Sequence, residues 1–213
     1  SIDLGAPGFE WLYLDDFDGR LSLKNAEVPF RSVTPFVSNE IKSWVSANKN
    51  VWFVQINSNS TDDNGMGNKV RVSLERYGSR AFPGWYGGYT KDSQIGLGNT
   101  RAKTIGGEIL IEEKFEGLNF SVACRILGEK TEAETISTNK AELETEQKKN
   151  HSITVMVSVV TSNEAENPTQ KAIELLNDVE SESIEKQKEI HKSWWSGFWE
   201  KSFVSLGNDY IEN

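Results

Sequence analysis

The stretch HKSWWSGFWEKSF, residues 191–203, is the most specific chemical pattern in the chain. Trp195, Phe198, Trp199 and Phe203 follow one another at i, i+3, i+4 and i+8, so a helix sets four rings on one face, with Trp194 beside them. At roughly 150 to 250 Å² per ring, such a stripe buries several hundred Å² when it is covered. Left in water it is an aggregation liability. Two readings are open: the stripe covers the core of its own domain, or it is a joint with another domain. The rings cluster where the chain leaves the last element, which favours the joint. His191, one turn before the tryptophans, is placed to hydrogen-bond there.

A second candidate is Arg80-Ala81-Phe82-Pro83-Gly84-Trp85-Tyr86-Gly87-Gly88-Tyr89. Sugars offer apolar C–H faces and a ring of hydroxyls. Rings at Trp85, Tyr86 and Tyr89 beside the Arg80 donor would therefore suit a carbohydrate, and the glycines allow close approach. The competing reading folds Trp85 and Tyr86 back as a lid on the domain.

The carboxylates select no catalytic pair. Glycoside hydrolysis needs two at a fixed separation with one held protonated, and with 32 Asp and Glu in the chain spacing alone picks none. Asp15-Asp16-Phe17-Asp18-Gly19 has a faint calcium-loop look but lacks the remaining ligand positions, and reads as a tight hairpin turn. Glu112, Glu113 and Glu116, and the alternating Glu142, Glu144 and Glu146, read as solvated sheet faces. His151 and His191 are the only histidines, with no cysteine or second histidine at ligand spacing, so neither metal nor cofactor is expected. Cys124, the single cysteine, lies in the alternating run NFSVACRIL and reads as a buried, inert thiol.

Period-two alternation predicts the elements that carry these residues. Strands are expected at Trp11 to Asp15, Arg20 to Leu23, Val28 to Val37, Ile41 to Ala47, Val51 to Asn57 and Lys69 to Tyr77. Further strands are expected at Glu108 to Phe115, Asn119 to Leu127, Glu132 to Thr138, Ala141 to Gln147 and Ile153 to Thr161. Their links are short and turn-like, so antiparallel pairing and two stacked sheets follow. Gly78 to Gly107 interrupts them as one long loop. After Thr161 the period changes: Pro168 opens a helix, and Ile173, Leu176, Val179, Ile184 and Ile190 recur at helical intervals, with a break expected near Ser181 to Ser183. The division is a β-sandwich at 1–162, then a linker helix and exit segment at 163–213.

A net charge of −9 and a pI near 4.9 argue against a nucleic-acid partner or an anionic membrane surface, since both draw affinity from clustered Lys and Arg. No stretch reaches the roughly 18 apolar residues of a membrane-spanning helix, so no membrane insertion is expected. Seven Trp and ten Phe are a heavy aromatic load for so polar a chain, which implies that some rings meet a ligand or a partner.

Asn167-Pro168, Ala172, Leu175, His191, Trp194-Trp195, Phe198-Trp199, Ser202, Val204 and Leu206, placed after a strand-rich region, resemble the linker of six-hairpin-barrel glycoside hydrolases. The chain is similar to their N-terminal super-sandwich, in fucosidase-like and maltose-phosphorylase-like groups and in an uncharacterised bacterial group known only as a domain of unknown function. GFEWLYLDDFDGRLSL and NKVRVSLERYGSR fit the strand portions. The Gly-Asn-Gly signature usual in the opening strand of such sandwiches is missing.

The resemblance implies a mainly β fold, an antiparallel, galactose-mutarotase-like β-sandwich with a C-terminal linker helix. It also implies a non-catalytic domain that supports a following helical barrel holding the catalytic carboxylates. No catalytic residue is then expected in this chain, and its location is extracytoplasmic, periplasmic or secreted. The docking residues would be His191, Trp194, Trp195, Phe198, Trp199 and Phe203. The alternative is a free-standing carbohydrate-binding module using Arg80, Trp85, Tyr86 and Tyr89.

Overall fold

A computed structural model describes residues 1–61, 67–76, 99–115 and 117–201. Within them the chain is mainly β, an antiparallel β-sandwich followed by two helices. The strands are β1 (Ile2–Asp3), β2 (Asp16–Gly19), β3 (Val28–Val33), β4 (Val37–Val45), β5 (Val51–Ser60) and β6 (Arg71–Glu75). They continue with β7 (Thr100–Ile105), β8 (Glu108–Phe115), β9 (Leu118–Leu127), β10 (Thr131–Ser137), β11 (Lys140–Thr145) and β12 (Asn150–Thr161). Helices α1 (Pro168–Glu182) and α2 (Ile184–Trp199) close the described chain.

Eight strands form the larger sheet in the order β2-β3-β4-β5-β12-β9-β8-β7, and four form the smaller in the order β1-β6-β11-β10. Alternation along the strands of the larger sheet supplies apolar residues to both of its faces. Ile41, Val54, Ile56, Ile109, Cys124 and Val155 point to the smaller sheet, which answers with Val70, Val72, Ala141 and Leu143. The intervening Trp44, Phe53, Leu110, Ala123, Met156 and Val160 point the other way, where Ala172, Leu176 and Val179 of α1 cover them. The result is three layers: sheet, sheet, helix. Cys124 is fully buried, and burial pushes its thiol up to about 12, so the expected inert thiol is found.

Three expectations are corrected. Asp16–Gly19 is no hairpin turn but an edge strand, its register with β3 running from Asp16↔Val33 to Gly19↔Phe30, with an Asp16–Arg31 ion pair at 2.5 Å. The flanking stretches are not strands: residues 11–13 form a turn, and Ser22↔Glu27 is an isolated bridge. The apolar residues that suggested a buried face there stay in solvent, with Trp11 82% exposed.

Second, the loop expected over Gly78 to Gly107 does not hold at its end, because Thr100–Ile105 pairs along β8 as the other edge of the sheet. Third, Glu113 is no solvated residue. Its side chain is fully buried on β8, and the Arg76 guanidinium, at 2.6 Å, keeps that charge paired.

The helical break is found as expected. Asn167 caps α1, its side chain accepting from the Gln170 amide at 3.1 Å, with Pro168 in the first turn where a missing N–H costs nothing. Ser183 then adopts a left-handed backbone (φ 69°) and its hydroxyl accepts from the Lys186 amide, ending one helix and capping the next.

Polar ties lock α1 to the sheet. Arg125 of β9 bonds Glu108 of β8 together with Glu180 and Asn177 of α1. Thr169 donates to Glu112, which also pairs with Lys103 at 2.6 Å. Burial works to raise the Glu112 carboxyl, but the Lys103 and Thr169 hydrogen bonds outweigh it and hold the group below the usual carboxylate range.

Candidate functional site

The aromatic face of α2 is built by two interleaved rows. Gln187, His191, Trp195 and Trp199, four residues apart, form the inward row, and Trp194 and Phe198 form an outward row beside it. The inward row grips the turn between β2 and β3. His191 is buried, and its Nε2 lies 3.1 Å from both the Asn25 and the Ala26 carbonyl. Trp199 donates its indole N–H to the Leu23 carbonyl at 2.9 Å. Lys188 reinforces the joint, pairing with Glu27 at 3.4 Å and lying 5.0 Å from the Trp44 ring centroid. Ala26, held in this grip, is one of two non-glycine residues described with positive φ (47°). A left-handed alanine is costly, and the His191 and Lys188 contacts on either side of it hold it there.

The outward row has no such cover among the described residues. Trp194 is 44% exposed and Phe198 41%, and their rings stack 5.7 Å apart at 8°. Edge-to-face contacts tie them to the inward rings: Trp194 to Trp195 at 5.0 Å, and Phe198 to Trp199 at 5.1 Å. The gripped turn adds Leu21 and Leu23, both exposed. Rigid rings that are half in water, on a helix fixed from behind, make a preorganised apolar platform.

Each candidate from the sequence has a place or none. His191, Trp194, Trp195, Phe198 and Trp199 come together on α2, whereas Phe203 lies outside the described residues. Arg80, Trp85, Tyr86 and Tyr89 also lie outside them. Their segment leaves from Arg76, whose amide donates to the Asn139 carbonyl at 2.9 Å and whose side chain pairs with buried Glu113. Glu142 and Glu144 are paired with Lys140, Arg71 and Lys69 on the outer face of the smaller sheet. Among the described residues, no three His, Cys, Asp or Glu side chains group as metal ligands would.

Sequence reasoning missed the Arg76–Glu113 pair, the Arg125 cluster and the Lys188–Trp44 contact. Of these only Glu113 had a signal: it falls on the same face as Ile109 and Ile111.

Two grooves remain. One, about 290 Å³, is lined by Phe9, Phe30, Ile41, Trp52 and Val54, with Ser43 its one hydroxyl. It therefore lacks the donor and acceptor set a sugar needs. The other, about 400 Å³, is polar, lined by Lys42, Gln55, Asn57 and Thr154 together with Glu185 of α2.

Residues 117–204, from β9 through the rings of α2, match the model of a family described as "Domain of unknown function (DUF5703)". No curated protein matches the chain. The fold is shared with a chain described as a kojibiose phosphorylase from the human microbiome, at 12% identity and a TM-score of 0.60. That likeness covers 87% of this chain but 25% of the other, so the chain spans about a quarter of the protein it resembles. A family GH92 α-mannosidase from Bacteroides thetaiotaomicron, in complex with mannoimidazole, matches at 8% identity and a TM-score of 0.34, over 89% of this chain and 23% of the other. The β-sandwich implied by the family resemblance is the fold observed, and the family whose model matches part of the chain is, like the uncharacterised group in that resemblance, a domain of unknown function.

Proposed function

We propose that this chain is the non-catalytic β-sandwich of a glycoside-processing enzyme, and that it supports a following helical barrel against which the rings of α2 dock. The observation that carries the reading is the split of the aromatic stripe. Trp199 is committed to the β2–β3 turn and Trp195 packs between His191 and Trp199, while Trp194 and Phe198 stack in the open on a helix already fixed from behind. Stacked exposed rings on a rigid base bind a partner with little ordering cost, because two χ angles each are already set. The sandwich shared with a protein of which it makes up about a quarter supports the same view. In this reading residues 1–162 are the sandwich, 163–213 lead toward the barrel with α1 packed on the sandwich as its third layer, catalysis belongs to the barrel, and the protein works outside the cytoplasm.

The test is to extend the gene past Asn213 and produce the following residues separately. Mixing them with this chain should give a complex on size-exclusion chromatography, lost in the double variant Trp194→Ser, Phe198→Ser. A reading frame that stops soon after Asn213, or a complex indifferent to both rings, overturns the proposal.

A further inference from the structure

The helical layer rests on Trp44, Phe53 and Met156, and the strands of the larger sheet run on beyond it. The next row on the same face is Pro29, Lys42, Gln55, Thr154 and Leu127, one residue from each of β3, β4, β5, β12 and β9 in register. The row after it is Asp18, Arg31, Glu40, Asn57 and Ser152, from β2 through β12. The side-chain period of two keeps both rows on the helix side of the sheet. The polar groove of about 400 Å³ lies over them, and a recess of about 200 Å³ that shares Glu40 and Lys42 carries it on over β3 and β2. The centres of β2, β3, β4, β5 and β12, neighbours in that order and spaced by about 4.8 Å, span roughly 19 Å.

The two polar sheet faces of the molecule differ. On the outer face of the smaller sheet, Glu142 and Glu144 are satisfied by Lys140, Arg71 and Lys69. In the groove, by contrast, Glu40, Lys42, Gln55, Thr154 and Glu185 make no side-chain hydrogen bond or ion pair among the described residues. Ser152 donates to Asn57 Oδ1 at 2.9 Å, which leaves both amide hydrogens of Asn57 to give. Gln55 and Thr154 are half-buried, so ordering them against a ligand costs little.

The chemistry of the lining selects the ligand. Asp18, Glu40 and Glu185 balance Arg20, Arg31 and Lys42, so neither a polyanion nor a cation meets an excess of the opposite charge. What remains is a set of amides and hydroxyls that both donate and accept, beside the half-buried Leu127 side chain. A polyol matches that set: its hydroxyls give and take hydrogen bonds while a C–H face rests on Leu127. The volume falls within the roughly 300 to 1,000 Å³ of small-molecule sites, and the length suits a chain better than a single ring.

We propose that the open half of the larger sheet binds a neutral oligosaccharide laid across β3, β4, β5 and β12, with Gln55, Asn57 and Thr154 bonding its hydroxyls. The site is built from the sheet's own side chains and does not rest on the docking of the α2 rings, so either reading can fail without the other.

The experiment is ¹H–¹⁵N NMR of the full chain, titrated with malto-, cello-, manno- and xylohexaose, and with hexagalacturonate as the polyanionic contrast. Each sugar is taken to about 10 mM, which nearly fills a site with a Kd of about 1 mM. At least one neutral sugar should shift the amides of Lys42, Gln55, Asn57 and Thr154, and hexagalacturonate should shift none of them. The double variant Gln55→Ala, Asn57→Ala should weaken binding about tenfold, and Lys140→Ala, on the other sheet, should leave it unchanged. The proposal is overturned if no neutral sugar shifts those amides, if the shifts centre on α2, or if the double variant binds as well as the native chain. Should the double variant not fold, Thr154→Val keeps the volume, removes one hydroxyl and should weaken binding by about threefold; undiminished binding again overturns the site.

Discussion

Helices α1 and α2 run consecutively, share one capping residue and carry aliphatic or aromatic residues at helical spacing, yet they are used differently. α1 sets Ala172, Leu176 and Val179, all fully buried, on Met156, Leu110 and Phe53, and fastens its rim through Arg125 and Thr169. α2 buries only Gln187 and His191 and grips a turn through hydrogen bonds, leaving two large rings in water. Burying apolar surface in a close-packed layer is what holds the third layer on. Hydrogen bonds to backbone carbonyls fix where a helix lies without covering it. α1 is accordingly part of the domain's own core, and α2 is a surface held in place.

Mutation can break that contrast. The largest effect is expected at Leu176→Ala, which removes a fully buried side chain between helix and sheet and should cost about 2 to 5 kcal/mol by denaturant unfolding. Next is Arg125→Met. It leaves the largely buried Glu108 carboxylate without its partner and should cost about 3 kcal/mol, visible as a lower midpoint with unchanged slope. Trp199→Phe keeps the ring but deletes the donor to the Leu23 carbonyl, and should cost about 1 kcal/mol. The smallest effect is expected from Trp194→Ser with Phe198→Ser. Their half-exposed rings should contribute less than about 1 kcal/mol, while binding of a hydrophobic dye should fall markedly. A double variant as damaging as Leu176→Ala would erase the difference between the helices.

Some of this was legible in the sequence. β8 and β12 sit in short apolar-rich runs bounded by turn residues, and the Asn167-Pro168 start and the break at Ser183 are written in capping and helix-breaking residues. The two edge strands of the larger sheet were not legible. DFDG in β2 has the residue types of a turn, and TRAKTI in β7 carries little apolar signal because edges are kept polar and charged.

Helical spacing placed the rings of α2 on one face but could not divide them. Which pair turns inward depends on a turn at Leu23 to Glu27, more than 160 residues earlier in the chain, and on the left-handed backbone of Ala26. Nor could strand spacing foretell that His151, a polar residue in a loop-flanked position, would meet Glu129 and Asn68.

The central claim is that Trp194 and Phe198 are a docking face, and hydroxyl-radical footprinting tests it most directly. It should be applied to this chain and to the product of the gene read on past Asn213. The account predicts that both rings are oxidised in this chain and protected in the longer one, with buried Trp44 unreactive in both. Equal oxidation of Trp194 and Phe198 in the two proteins would contradict it.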